Sequence, residues 1–383
     1  MRRLGVTIAV VSLVAAACGT SDTDVQAAAD ACEAGVVDGD LNFYNWTEYI
    51  PYGSAAEESE VEDLLAKFES EYGVEVTYTE YESNEAMLAQ VEAGGAPYDL
   101  VVPSDYMVSL MSDPETDLLV RLNKDALPNL SNLDPQFTNL PFDPNGDFSV
   151  PYQWGTTGIG YSYDVVDDSE GISWGLIFDP VQRADYAGQI SMLDDSREAL
   201  GAALKYLGYS LNSTDEAEVN AASDLIAETK DDIATFSSSG YWDLLIEGTT
   251  MVAHGWNGDF FSAYDGASTD DYDAYEDFGF AVPNEGGVVW VDNIAIPVTA
   301  ESPCTAHAFI DFLLEAENGA TLTNYNYYGS PNAAAEELIY PEILEDPSIY
   351  PPQEMFDSGA LEFLEDLGEF TTTYEDAFVE AKS

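Results

Sequence analysis

The chain has 383 residues, of which 46% are hydrophobic and 12% aromatic. This composition excludes an intrinsically disordered acidic protein, and the length allows two domains with hydrophobic cores. Acidic residues outnumber basic ones by 73 to 10, and two of the basic residues, Arg2 and Arg3, lie in an N-terminal leader. The eight remaining cations are dispersed and cannot form a basic patch, so we predict no nucleic-acid partner.

The acidic residues are spread through the predicted helices and are not gathered in one tail. Such a surface either steers a polycation toward its site or is a solvated surface suited to a salty environment. We favour the second interpretation, because salt screens charges that lie beyond a Debye length.

The N-terminus has the pattern of an export signal. Arg2 and Arg3 precede an apolar run at residues 4–14, which is too short to anchor the chain in a bilayer. The following Ala-Ala-Ala-Cys resembles a bacterial lipobox, although Ala15 stands where leucine is usual. We therefore expect a signal peptide at residues 1–17, a lipid on Cys18 and an acidic tether at 18–40; ordinary signal cleavage is the alternative.

If Cys18 carries lipid, Cys32 and Cys304 remain in an oxidising compartment. A disulfide between them is predicted, with two free buried thiols as the alternative.

From residue 41 the pattern alternates between strand and helix. Residues 41–44, 74–78 and 99–103 are typical of strands. Apolar residues at helical spacing predict a helix that ends at Gly73, and Ser83 can cap a second helix that reaches Ala93. Alternation of this kind indicates an α/β fold.

A second α/β region begins near residue 148, after a turn-rich connection. Its predicted strands are 189–193, 279–283 and 288–297, and its predicted helices are 196–207 and 214–230. A last helix is predicted at 305–317, with Pro303 ahead of it and Gly319 behind it.

Tryptophan lies close to a carboxylate in three distant segments, which contain Trp46 and Glu48, Trp256 and Asp259, and Trp290 and Asp292. On an extended strand, residues i and i+2 share a face. Aromatic faces cover methylene groups and attract ammonium groups, while carboxylates accept their N–H donors. The pattern therefore predicts a site for a slender organic cation.

Several aromatic and acidic residues have simpler interpretations. We interpret Trp154, Trp174 and Trp242 as packing residues, and His307 as a core histidine. Asp195 and Glu198 begin a predicted helix, so capping alone also explains them. Arg197 between them is expected to orient them through an ion pair.

Four segments carry a resemblance to a known family: NWTEYIP at 45–51, YDLVVPS at 98–104, MLDDSRE at 192–198 and GGVVWVD at 286–292. They resemble the spermidine/putrescine-binding proteins of bacterial polyamine ABC transporters, and shorter matches lie at 132–135, 142–145 and 327–332. The similarity runs in order from about residue 41 to the end.

The resemblance implies an α/β, two-lobed periplasmic-binding-protein-like fold with a hinge of crossing segments. Lobe 1 would comprise 41–147 and 294–328, and lobe 2 would comprise 148–293 and 329–383. The ligand would be a polyamine, the partner a membrane permease, and the protein an exported, lipid-anchored or periplasmic monomer that is not an enzyme and needs no cofactor or metal. The implied ligand-binding residues are Trp46, Thr47, Glu48, Tyr49, Ser104, Tyr106, Asp195, Glu198, Trp256, Asp259, Trp290, Asp292 and Tyr328.

In that family the residues matching Trp256 and Trp290 enclose the alkyl chain, and those matching Glu198 and Asp292 hold ammonium groups. Glu48 and Tyr106 resemble the spermidine-type pattern, whereas Asp259 resembles the putrescine type. Near the C-terminus, where spermidine binders offer a glutamine, Glu362 and Glu365 both remain candidates. The preferred ligand length therefore stays open.

Other functions fit the sequence less well. Paired carboxylates in a cleft suit a glycosidase, but the chain has no P-loop, HExxH, GxSxG or CxxC motif. Betaine and choline each carry one cation and would leave several acids unused. Residues 143–147 have the wrong spacing for a calcium loop and are typical of a turn.

The charge imbalance predicts a dependence of stability on salt. We expect the melting temperature to rise between dilute buffer and molar KCl, because salt screens repulsion among the acidic side chains. Thermal denaturation at several KCl concentrations measures this, and a flat or falling melting temperature contradicts it.

Overall fold

The computed structural model describes residues 22–269 and 271–383, so the leader and Cys18 lie outside the described residues. The predicted α/β class is confirmed by a mixed sheet with helices packed around it. In the described part of the chain, we find no helix with the length and apolarity needed to cross a bilayer.

The sheet order is β2-β1-β3-β9-β4-β7-β5-β6, with β10 beside β9 and β8 beside β4. The strands are β1 (Leu41–Trp46), β2 (Val76–Tyr81), β3 (Leu100–Val101), β4 (Ser149–Ser162), β5 (Ile190–Met192), β6 (Ile233–Phe236), β7 (Val252–Trp256), β8 (Phe278–Ala281), β9 (Gly287–Ala295) and β10 (Leu361–Glu362).

Two parallel groups of strands are joined by a long antiparallel pair. β1 pairs with β2 and β3, and β5 pairs with β6 and β7, in both cases in parallel. β4 and β9 lie between these groups, pair antiparallel to each other and are buried along almost their whole length. This buried pair therefore connects the two halves of the sheet.

The helices that flank the sheet are α1 (Asp22–Ala29), α2 (Gly53–Glu58), α3 (Leu64–Tyr72), α4 (Asn84–Ala93), α5 (Asp105–Ser112), α6 (Gly175–Phe178), α7 (Ser196–Leu207), α8 (Glu216–Thr229), α9 (Tyr241–Ile246), α10 (Asn257–Ala267), α11 (Pro303–Leu313), α12 (Ala316–Asn326), α13 (Pro341–Leu344), α14 (Gln353–Asp357) and α15 (Thr371–Lys382). Their ends follow the predicted capping chemistry in several cases. The Ser83 hydroxyl accepts from the Ala86 amide at the start of α4, and Gly73 ends α3 in the left-handed conformation.

The predicted helix at 305–317 is wrong in its extent. The structure has two helices there, and Gly319 lies inside α12 instead of ending a helix. The first helix ends at Leu313, and beyond it the Asn318 side chain donates to the Phe312 carbonyl at 2.7 Å, which satisfies one of the free terminal carbonyls. Gly319 is needed for packing, since a Cβ atom there would lie 3.0 Å from the Asn332 side-chain amide.

Residues 22–40 do not extend away from the fold as the tether prediction expects. Val25 and Ala29 of α1 are buried in the core, and the Asn123 side chain donates to the Cys32 carbonyl at 3.0 Å. A disulfide joins Cys32 to Cys304 across 272 residues of sequence. The described part of the expected tether is therefore packed against the first group of strands and helices.

The disulfide has a testable effect on stability. Replacing both Cys32 and Cys304 by alanine should lower the free energy of unfolding by about 2–5 kcal/mol, because a cross-link over a long loop restricts the unfolded chain. Thermal unfolding in non-reducing buffer measures the loss, and adding reductant to the unmodified protein should reproduce it. Equal melting temperatures for the variant and the unmodified protein would contradict the expectation.

Candidate ligand-binding site

A cavity of about 960 Å³, partly open to solvent, lies between the two groups of strands. All thirteen residues that the sequence analysis proposed for ligand binding line it, although they come from segments between positions 46 and 328. The indoles of Trp46, Trp256 and Trp290 therefore lie around one cavity and do not point into separate hydrophobic interiors.

Several of these side chains lie at or just beyond the ends of strands. Trp46 ends β1 and Trp256 ends β7, while Ser104 and Asp195 stand at the N-caps of α5 and α7, just beyond β3 and β5. Ligand crevices in open α/β sheets form at such carboxyl ends. Trp290 belongs to β9, where it pairs with Gly155 of β4. A Cβ atom at position 155 would lie 2.5 Å from the Trp290 ring, so the glycine makes room for the indole.

Asp292 is the carboxylate on the crossing strand β9. It is 6% exposed and accepts hydrogen bonds from the Tyr49 hydroxyl at 2.8 Å and the Ser104 hydroxyl at 2.6 Å. Burial raises the pKa of Asp292 to about 6, although the two hydroxyl donors oppose the shift. The group is oriented by neutral donors and lacks a positive partner among the described residues.

Glu198 is a buried acid on α7. Its Oε1 atom accepts from the Thr157 hydroxyl at 3.0 Å and from the Trp256 indole N–H at 3.1 Å. Its Oε2 atom is buried and has no hydrogen-bond partner among the described residues. Burial, followed by the charge of Asp195, raises the pKa of Glu198 to about 8. Glu198 thus keeps one oxygen free for a donor from a ligand.

Asp259 lies between two tyrosines at the start of α10. The hydroxyl groups of Tyr241 and Tyr328 each donate to it at 2.5 Å. Burial raises the pKa of Asp259 to about 6, and the charge of Glu48 adds to the shift. The Asp259 carboxylate is thus also oriented by neutral hydroxyl donors.

Aromatic rings form the remaining wall. Trp290 is 7% exposed and packs edge-on against Tyr328, with ring centroids 5.1 Å apart. The Trp46 indole N–H donates to the Val102 carbonyl at 2.9 Å, and that of Trp256 is held by Glu198. These bonds fix the orientations of two half-buried indoles at the cavity.

Asp195 caps α7, as the simpler interpretation expects, and also lines the cavity. It accepts from the backbone amides of Arg197 and Glu198. The predicted ion pair of Arg197 with its two acidic neighbours is wrong. The Arg197 guanidinium instead donates to the Glu365 carbonyl at 2.9 Å and the Asn212 side chain at 2.8 Å, and lies over the Tyr374 ring.

Trp242 packs against a hydrophobic core cluster as predicted, and this half-buried indole also lines the cavity, a role that the sequence analysis did not assign to it. The signal that could have found this role is Asp243, which directly follows Trp242, although in the other Trp-acid pairs the acid stands two or three residues after the tryptophan. Trp154 and Trp174 are core residues as predicted, with 4% and 1% exposure.

Sequence reasoning also missed Asp105. It is completely buried at the cavity, and one of its carboxylate oxygens has no partner among the described residues. Burial raises the pKa of Asp105 to about 8. An aspartate in the first turn of a helix is ordinarily explained by the helix dipole, so the sequence gives no separate signal for a cavity role.

Neither C-terminal glutamate considered for the position of the family glutamine lines the cavity. Glu362 is paired with Lys205 and accepts from the Ser210 hydroxyl at 2.5 Å, and Glu365 is exposed. Leu364 lines the cavity from this segment, so its contribution to the wall is apolar.

Residues 63–351 match the sequence profile described as bacterial extracellular solute-binding protein. The chain is 37% identical to the spermidine/putrescine-binding periplasmic protein of Escherichia coli over 345 residues, which cover 90% of this chain and 91% of that protein. It is 36% identical to the putrescine/cadaverine-binding protein of Pseudomonas aeruginosa, over 81% of this chain and 84% of that protein.

The fold is similar to that of a solved relative. The spermidine/putrescine ABC transporter substrate-binding protein of Streptococcus pneumoniae superposes with a TM-score of 0.73 at 32% identity, covering 90% of this chain and 99% of that structure. All three proteins are named for binding and not for catalysis. The profile match spans most of the chain, and by it and these relatives the chain belongs to the bacterial extracellular solute-binding protein family.

Proposed function

We propose that the protein is the substrate-binding lipoprotein of a polyamine ABC transporter and captures putrescine or spermidine between its lobes. The observation that carries this proposal is a set of carboxylates that line one cavity together with indole rings: the buried Asp105, Glu198 and Asp292 and the half-buried Asp259. The names of the relatives from Escherichia coli and Pseudomonas aeruginosa support the same ligand class.

The charge of the cavity selects a cation with more than one ammonium group. Burying a carboxylate is unfavourable unless it is paired and hydrogen-bonded, and the donors to Asp292, Glu198 and Asp259 are all neutral. A diamine or triamine would place an ammonium beside more than one of these acids. Betaine or choline would neutralise only one.

The indoles suit the methylene segments of such a ligand. Trp256 and Trp290 present aromatic surface next to Glu198 and Asp292. A desolvated ammonium over an aromatic face adds about 2 kcal/mol of attraction. The same cavity would therefore recognise both the charged and the apolar parts of a polyamine.

Binding would be accompanied by lobe closure, with lobe 1 comprising residues 41–147 and 294–328 and lobe 2 comprising 148–293 and 329–383. The crossing strands β4 and β9 would act as the hinge, and the ligand would supply contacts that favour the closed state. A permease would recognise the closed monomer. Cys18 would hold the exported protein at the outer face of the cytoplasmic membrane.

A ligand panel tests the proposal. Thermal-shift measurements with putrescine, cadaverine, spermidine, spermine, betaine and glycine should show stabilisation by the polyamines alone, because a ligand that binds only the folded state raises its melting temperature. Stabilisation by betaine and not by any polyamine would overturn the proposal. Mass spectrometry after incubation should recover the polyamine unchanged, whereas turnover would indicate an enzyme.

Asp292→Asn should weaken polyamine binding at least about tenfold, because the amide keeps the shape of the carboxylate but removes a charge-assisted hydrogen bond. Isothermal titration calorimetry measures the change. The matched control is Asp224→Asn, which removes the same charge from an exposed position on α8 and should leave the affinity unchanged. Equal losses for both variants would show that only net charge matters.

Polyamine affinity should rise with pH between 6 and 8. In the empty cavity the pKa of Glu198 is about 8, so its carboxyl is mostly protonated at pH 7. A bound ammonium favours the ionised form, so binding at neutral pH releases a proton, and each released proton makes affinity rise up to about tenfold per pH unit below that pKa.

Asp105, whose pKa is also about 8, contributes in the same direction. The dependence should level off above pH 8, where both acids are ionised in the empty protein. Calorimetry at several pH values and in buffers of different ionisation enthalpy measures both affinity and proton release. Glu198→Gln should make the dependence between pH 7 and 8 less steep, because only Asp105 then still releases a proton in that range, and an affinity that falls as pH rises would contradict the assignment.

A further inference from the structure

A second cavity opens outward from the candidate site. This outer chamber has a volume of about 1350 Å³, is open to solvent and shares Trp46, Tyr106, Asp195 and Trp256 with the inner cavity. The two spaces are therefore continuous, and a ligand too long for the inner cavity would extend into the outer chamber.

The additional walls of the outer chamber carry acids and one lysine. Glu85 lies on the side of α4, while Asp194, Glu375 and Lys382 lie on the side of α7 and α15. Arg197 borders both the inner cavity and the outer chamber, but its guanidinium is engaged with the Glu365 carbonyl and the Asn212 side chain. Lys382 thus supplies a second positive charge in a chamber whose other charged residues, apart from Arg197, are acidic.

The Lys382 ammonium is held by a carboxylate and aromatic rings, the same kinds of group that we propose hold a polyamine ammonium. It is paired with the Asp194 carboxylate, and it lies over the Phe378 ring at 4.2 Å and the Phe236 ring at 5.7 Å from their centroids. A lysine side chain is a four-carbon chain that ends in an ammonium, which is the same group that ends putrescine. A carboxylate and two aromatic faces thus already hold an ammonium next to the candidate site.

The backbone that carries Lys382 is fixed. Tyr374 of α15 is completely buried, and its hydroxyl donates to the carbonyls of Leu211 and Ser213. The Ser223 hydroxyl donates to the Ala377 carbonyl at 2.7 Å. The lysine is therefore presented to the chamber from a packed helix.

We propose that Lys382 occupies an outer ammonium position formed by Asp194, Phe236 and Phe378, and thereby restricts the site to the shorter polyamines. The inference rests on the proposed function and extends it to ligand length. A tetraamine such as spermine, bound in the inner cavity, would bring its distal ammonium into this chamber. There Lys382 is already paired with Asp194 and would repel a second cation. Putrescine would fit within the inner cavity and would not meet Lys382.

Lys382→Gln tests the proposal by removing the charge while keeping a polar side chain of similar reach. Calorimetry should show that the Kd for spermine falls about tenfold, the range of a charge-assisted hydrogen bond with aromatic contacts. The Kd for putrescine should stay within about twofold, because screened charges outside the inner cavity contribute little. Lys382→Arg keeps the charge and should behave as the unmodified protein does.

Two controls separate a local site from general electrostatics. Lys124→Gln removes a positive charge at an exposed position paired with Asp147 and should change neither Kd. Asp194→Asn combined with Lys382→Gln should abolish the gain in spermine binding, because the acid that would receive the distal ammonium is then lost.

The outcomes distinguish this inference from the proposed function. An unchanged Kd for spermine in Lys382→Gln, or an equal gain for putrescine and spermine, overturns the role of Lys382 while polyamine binding itself stands. Failure of the unmodified protein to bind any amine overturns both.

Discussion

The site depends on carboxylates that are buried or half-buried and are oriented by neutral donors. Tyr49 and Ser104 hold Asp292, Thr157 and Trp256 hold Glu198, and two tyrosines hold Asp259. An arginine or lysine in these places would satisfy the acids and leave no charge for a ligand. Hydroxyl and indole donors fix the geometry but supply no positive charge. Burial raises the pKa of all three acids, and the neutral donors oppose this shift only in part.

The strand pairings make this arrangement possible. β4 lies between β9 and β7, so its Gly155 faces Trp290 and its Thr157 faces Trp256. The first position gives space to one indole, and the second supplies a hydroxyl to Glu198. One strand therefore sets the relation between two indoles that are distant in sequence. A substitution that changes this pairing would disturb several ligand contacts together.

Local chemistry explains why some features were predictable from sequence and others were not. The capped helices and the Trp-acid segments are predicted by short-range sequence patterns. That these segments meet in one cleft is predicted only by the family resemblance. Trp242 and Asp105 were missed because their roles depend on long-range packing that leaves one half-buried and the other without a full set of partners. At the break between α11 and α12, the Asn318 side chain donates to a helix-terminal carbonyl. No hydrophobic periodicity encodes such a contact.

The acidic surface and the acidic site differ in physical effect, although both come from the same composition. Surface carboxylates are hydrated, and salt screens them, so they attract every cation weakly and discriminate little. The cavity acids have lost hydration, so each favours a partner that also supplies donors in the right place. The scarce cations of the chain are largely used in pairs such as Arg183 with Asp232 and Lys205 with Glu362, away from the inner cavity. Specificity therefore arises where burial and the absence of an internal positive partner coincide, and the number of acids in the chain does not determine it.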